Sequence, residues 1–201
     1  MKARLLVVAS HNSGKVREIR ELLLPLRFTV KSADQFGLLE PEETGSTFAE
    51  NAAIKSEAAA NATGLAALAD DSGLVVHALN GAPGVHSARW AGPERDFYQA
   101  MARVEQELKH SVTKDYSAKF VCALALTRPG MGTNIFADEI TGTLAFPPRG
   151  TKGFGYDPIF VPDGMTRTFG EIDPARKHQV SHRARAFAKL LGFLEQEQTS
   201  A

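Results

Sequence analysis

The chain has 201 residues, 43% of them apolar and 23% charged, which suits one globular domain with room for two lobes around a cleft. Its 23 basic and 23 acidic side chains cancel, and with one tryptophan and three tyrosines it has little to offer nucleic acid. One cysteine, Cys122, excludes an internal disulfide and reads as a buried thiol in an apolar run; no stretch approaches the roughly 20 apolar residues of a membrane helix. Residues 5–9 are too short for the apolar region of a signal peptide, so a soluble, cytoplasmic protein is expected.

Taken in chain order, residues 4–9 read as a buried aliphatic strand closed by small polar residues. A helix follows, with Val16, Ile19, Leu22 and Leu23 at helical spacing and Pro25 as its stop. Residues 28–31 are a second candidate strand. Thr47 with Glu50 forms a capping-box signature for the next helix, which runs through alanine-rich sequence to about Asn61 and is stopped by Thr63-Gly64. Residues 65–69 and 74–79 read as two strands separated by Asp70-Asp71-Ser72-Gly73. Asp96 caps a third helix, whose stripe of Phe97, Met101, Val104 and Leu108 is core packing. Residues 118–127 and 133–146 read as an antiparallel pair around a Pro129-Gly130 turn. A Pro/Gly-rich loop at 147–155 leads to a short strand at 158–161. Ser181 is the N-cap expected for a final amphipathic helix with Phe187, Leu190, Leu191 and Leu194 inward, and residues 196–201 are expected to fray. The order is βαβ-like at the start and hairpin-like later, which implies an α/β fold with a mixed sheet flanked by helices, in a single domain over 1–201.

Charge is unevenly placed. Between residues 32 and 54 stand five acids (Asp34, Glu40, Glu42, Glu43, Glu50) and no Lys or Arg, while residues 171–190 hold five bases against two acids. A metal-bound polyphosphate would require such a pairing, although a solvated surface can also look like this. Five segments could carry chemistry. The loop Ser10-His11-Asn12-Ser13-Gly14-Lys15 joins a strand to a helix and can offer backbone N–H groups, hydroxyls and one ammonium to an anion. It is not a Walker A loop, because Ala9 and Val16 stand where that motif needs Gly and Ser/Thr. Its plain alternative is a connection with a surface lysine. Asp70-Asp71 places two carboxylates side by side, costly unless a cation compensates them, and one or two carboxylates suffice for Mg²⁺; the competing reading is a solvated turn. Glu42-Glu43 precedes the capped helix that carries Lys55, where acids also serve the helix dipole. Glycines flank Phe154, which can stack on a flat ligand, with Asp157 able to accept from a ring N–H; a loop anchored by a buried aromatic would look the same. Lys177 and Ser181-His182-Arg183 place donors at a helix start, where an arginine opposes the dipole.

In order and spacing, these segments resemble the inosine/xanthosine triphosphate pyrophosphatases. The resemblance is carried by Asn12-Ser13-Gly14-Lys15, Glu42-Glu43-Thr44-Gly45, Ala69-Asp70-Asp71-Ser72-Gly73, Gly81-Ala82-Pro83-Gly84, Gly153-Phe154-Gly155-Tyr156-Asp157-Pro158 and Ser181-His182-Arg183, across about residues 5–192. It implies hydrolysis of ITP, dITP and XTP to monophosphate and pyrophosphate with Mg²⁺, in a homodimer with a cleft between two lobes. It implies Asp71 as general base and metal contact, with Glu42 as a second metal contact. Ser10 to Lys15 with Lys55 and Ser72 would hold the triphosphate. Phe154 would stack on the base, with Gly155, Tyr156 and Asp157 around it, and Lys177, His182 and Arg183 would read the purine. His11 departs from the glycine usual in that loop; a positive φ there would require a changed turn. A nucleotide sensor without turnover, and a pyrophosphatase for modified pyrimidines, are the competing functions.

Overall fold

The computed structural model describes residues 4–24 and 28–199; Pro25, expected as a helix stop, and residues 200–201 lie outside them, while residues 196–199, expected to fray, are the end of the last helix. Six strands form one mixed sheet, and the chain divides into two compact units. The first takes residues 1–71, 122–138 and 183–201, and the second takes residues 72–121 and 139–182.

In the first unit, β1 (Arg4–Val8) leads to α1 (Ser13–Leu23) and β2 (Phe28–Ser32), and β1 pairs in parallel with β2, Leu6 opposite Val30. On its other side β1 pairs in parallel with β3 (Ala67–Val76), Val7 opposite Ala67. Side chains alternate across a strand, and the two faces are sorted accordingly. Leu6, Val8 and Leu68 face Val16, Ile19 and Leu23 of α1 and Phe187 and Leu190 of α5 (His182–Thr199). Val7, Ala9, Ala67 and Ala69 face Ala59 and Ala60 of α2 (Phe48–Thr63). Helix α2 begins at Thr47, whose side chain accepts from the Glu50 N–H in the expected capping box, and ends at Gly64 with φ 68°.

The second unit holds α3 (Phe97–His110), capped by Asp96, whose Met101, Val104 and Leu108 pack with Phe120, Ile140, Leu144, Phe160 and Phe169. Strands β4 (Ser117–Arg128) and β5 (Gly132–Leu144) are sheet neighbours joined by the short Pro129-Gly130-Met131 turn, hence a hairpin. Strand β6 (Phe160–Pro162) pairs antiparallel with the end of β5, Leu144 opposite Phe160. The strand order is β2-β1-β3-β4-β5-β6, which bears out the mixed sheet.

Three local expectations need correction. The two strands read at 65–69 and 74–79 are one, because β3 runs unbroken through Asp70-Asp71-Ser72-Gly73 and stops at Val76, before a 3₁₀ turn. Buried cations compensate the two acids there, so no solvated turn is needed. The strand read at 158–161 begins later, after a 3₁₀ turn over residues 157–159. A short helix, α4 (Pro174–Val180), precedes the last one; Pro174 sits in its first turn, where the missing N–H costs nothing.

Candidate active site

The loop after β1 is shaped by its own side chains. The Asn12 side chain accepts from the Lys15 N–H and caps α1, and the Asn12 N–H donates to Ser10 Oγ at 3.2 Å. Capping at Asn12 starts the helix so that Lys15 lies in its first turn, beside the acids of β3. The described non-glycine residues with positive φ are Asn80 and Arg95, so His11 sits in the turn without left-handed strain. Its Nε2 lies 2.8 Å from the Leu38 carbonyl oxygen and 3.2 Å from Asp34 Oδ1.

Strand alternation sends the two aspartates to opposite faces. Asp70 follows the Leu68 face, toward α1 and α5. Lys15 Nζ lies 2.6 Å from Asp70 Oδ1, Arg183 Nε donates to Oδ2 at 3.0 Å, and Cys122 Sγ donates to Oδ2 at 3.0 Å. Arg183, 1% exposed, also binds Glu18 through Nη1. Burial alone would raise the Asp70 pKa, but Arg183 and Lys15 outweigh it and hold the carboxyl well below its usual range. The same acids hold the Arg183 guanidinium charged against its burial, and burial pushes the Cys122 thiol up.

Asp71 follows the Ala69 face, toward α2. Lys55 Nζ donates to Asp71 Oδ1 at 3.2 Å and to Glu43 Oε1 at 2.6 Å, while Lys15 Nζ lies 4.0 Å from Asp71 Oδ1. The second oxygen, Oδ2, is buried with no hydrogen-bond partner. Burial raises the Asp71 pKa above the usual carboxylate value; Lys15 and Lys55 oppose this, and Glu43 and Asp70 add to it. Lys55 is pushed down by burial and, more strongly, up by Asp71 and Glu43.

These contacts bring Ser10, Asn12, Lys15, Lys55 and Asp71 of the sequence reading into one cluster. Glu42 is not in it: its side chain is exposed, and the next residue, Glu43, occupies the place beside Lys55. The Arg183 guanidinium lies here too, bound to acids, so as an expected purine donor it has been replaced by an internal ion pair. Sequence reasoning missed Glu18 and the separate fate of Asp70. A faint signal existed, since Glu18 stands three residues after Lys15 and four before Leu22, on the inward side of α1.

The cluster can be tested for a cation. No group of three or more His, Cys, Asp or Glu arranged to hold a metal occurs among the described residues. Mg²⁺ needs only one or two carboxylates when phosphate oxygens and waters complete its shell. An unbonded buried acceptor costs about 1–3 kcal/mol or more when charged, and Asp71 Oδ2 is such an atom. That single carboxylate oxygen is the kind of donor a hard divalent ion takes.

In the second unit, Phe154, Asp157 and Lys177 come together. Lys177 Nζ donates to Asp157 Oδ2 at 2.6 Å and stands 4.7 Å from the Phe154 ring centroid, and the Phe154 N–H donates to the same oxygen at 2.8 Å. Asp157 thus secures the lysine and the loop, a different task from accepting a ring N–H. Gly153 has φ 76°, and a Cβ there would collide with the Asp157 carboxylate. His182 is buried, its ring stacked on Phe120 at 4.8 Å between centroids, and Phe120 stacks in turn on Phe169. Tyr156 turns inward: its hydroxyl donates to the Ser87 carbonyl at 2.9 Å and its ring meets Phe97 edge-on. Gly155, with φ 66°, forms the bend between them, and Ser72 is half-buried in β3.

The Ham1 family profile matches residues 6–193. A dITP/XTP pyrophosphatase of Rhodospirillum centenum is 58% identical over 187 residues, 92% of each chain. One from Caulobacter vibrioides is 56% identical over 94% of this chain and 97% of its own. A solved HAM1 protein from Coxiella burnetii superposes with a TM-score of 0.88 at 42% identity, covering 96% of this chain and 99% of its own.

Proposed function

Because this chain belongs to the Ham1 family, we propose that it hydrolyses the non-standard purine triphosphates ITP, dITP and XTP to the nucleoside monophosphate and pyrophosphate. The observation that carries the reading is Asp71, with one oxygen on Lys55 and the other buried and unbonded. Asp71 accepts a proton from the attacking water at that second oxygen. Burial raises its pKa, which makes it a stronger base than an ordinary aspartate. Lys15, Lys55 and Ser72, with the hydroxyls, amide and backbone N–H groups of Ser10, His11, Asn12, Ser13 and Gly14, hold the triphosphate. Asp71 would hold Mg²⁺, which when bound neutralises phosphate charge, while the exposed Glu42 carboxylate stands outside the cluster.

Phe154 offers the base a stacking face, bordered by Gly155, Tyr156 and Asp157. Lys177 and His182 read the purine, His182 by donating to its 6-keto oxygen, where adenine presents an amino group instead. Arg183 serves the site through Asp70, which it fixes beside Lys15. A homodimer in the cytoplasm completes the proposal, supported by the family resemblance and by a nucleotide-pool substrate. No described helix is long and apolar enough to cross a membrane.

The test is product analysis with Mg²⁺ across ITP, XTP, GTP, dTTP and ATP. Pyrophosphate released fastest from ITP and XTP is expected. Orthophosphate as the product would sink the reaction type, a preference for dTTP would sink the substrate class, and binding without turnover would make the protein a sensor. Sedimentation at twice the 21.7 kDa chain mass is expected for the dimer.

A further inference from the structure

Residues 37–47 carry Glu40, Glu42 and Glu43 between a 3₁₀ turn and α2 and have no regular structure of their own. Leu38 packs against the apolar cluster that includes Ala59 and Ala60 of α2, and beside it lies a cavity of about 240 Å³ lined by Leu39, Pro41, Ala58 and Ala62. Side-chain ties from neighbouring elements therefore matter for where these acids stand. Asn51 Oδ1 accepts from the Gly45 N–H at 2.8 Å near the end of the segment, and Lys55 binds Glu43 within it. At the start, the Leu38 N–H donates to the Ala33 carbonyl at 3.2 Å, and His11, whose Nε2 is 2.8 Å from the Leu38 carbonyl, adds the tie to the phosphate loop. A carbonyl only accepts, so Nε2 carries the hydrogen. The Asp34 carboxylate at 3.2 Å faces the same nitrogen and favours that arrangement.

We propose that the His11 imidazole is a positioning residue for the reaction: through the Leu38 carbonyl it fastens the acid-bearing segment to the phosphate loop. Two parts of the site distant in sequence are thereby held at a fixed separation, with no contact between the imidazole and the substrate. The inference rests on the function proposed above for its kinetic arm and on geometry alone for its structural arm.

Three variants of the full-length protein test it. His11→Gly removes the tie. His11→Asn removes it by being too short, without glycine's backbone freedom. His11→Gln keeps an N–H of similar reach. By amide hydrogen exchange, residues 38–45 should exchange about tenfold faster in the Gly and Asn variants, the scale of one lost hydrogen bond, with β1 and α2 unchanged. The ITP KM and the Mg²⁺ concentration for half-maximal rate should rise by a similar factor, kcat should change less, and Gln should restore both. Unchanged exchange in the Gly and Asn variants would overturn the tie. Normal exchange in the Gln variant with kinetics as poor as those of Gly would show the imidazole touching substrate and overturn the positioning role. If the unaltered protein releases no pyrophosphate from ITP, the functional reading falls, while exchange still decides the tie.

Discussion

Asp70 and Asp71 are chemically identical neighbours with opposite electrostatics, and the difference lies in which face of β3 each occupies. Asp70 has a depressed pKa, so its contribution to stability is present above the unfolded carboxylate value and is lost as pH falls through the lower folded value. Asp71 has a raised pKa, so ionising it works against folding once pH exceeds the unfolded value. Asp70→Asn should therefore destabilise the protein by about 3–5 kcal/mol in urea unfolding, because Arg183 keeps a buried charge without its main partner. Asp71→Asn should leave stability unchanged or higher, while kcat for ITP drops by about 10²–10⁴-fold, the usual weight of a positioned general base. Equal stability losses in the two variants would contradict this division. The pH profile is a second check: the acid limb of kcat/KM should lie above the ordinary aspartate value of about 3.9, as expected for a base whose pKa burial has raised. The adjacent acids were visible in the sequence; their separate roles were not, since Lys15, Arg183 and Cys122 reach Asp70 from three distant stretches.

Elements that declare their own ends were read correctly. The capping box at Thr47 and Glu50, the Gly64 stop and the Asp96 cap depend on neighbours within four residues, and each is where local rules put it. Strand β3 was misread because two acids followed by Ser-Gly form a good turn signal, and only buried cations make that sequence tolerable in a strand. The Phe154 loop is held by contacts that a single glycine makes possible. Gly153→Ala should add about 1–2 kcal/mol of left-handed strain and displace Asp157, which releases Lys177 from beside Phe154. The ITP KM should rise with kcat less affected; an unaltered KM would show that this loop does not contact the base.

At the scale of the whole molecule, ligand and fold are linked. A nucleotide bound only by the folded chain stabilises it by about 2.7 kcal/mol at 100 times its Kd. ITP with Mg²⁺ should therefore raise the Tm of the Asp71→Asn variant, which does not consume the ligand, and ATP should raise it less. Equal shifts for both would remove the case for a 6-keto reader. The sequence by itself determined the fold class, the capped helices and the family, because hydrophobic periodicity, caps and ordered motifs are written in neighbouring residues. Tertiary structure alone decided that Glu43 rather than Glu42 meets Lys55, that Arg183 turns inward to Asp70 and Glu18, and that His11 grips Leu38. Each of those depends on where a side chain lands after the sheet has assembled and water has been excluded. A buried charge takes whichever partner the packing leaves within reach, and that partner can stand more than a hundred residues away in the chain.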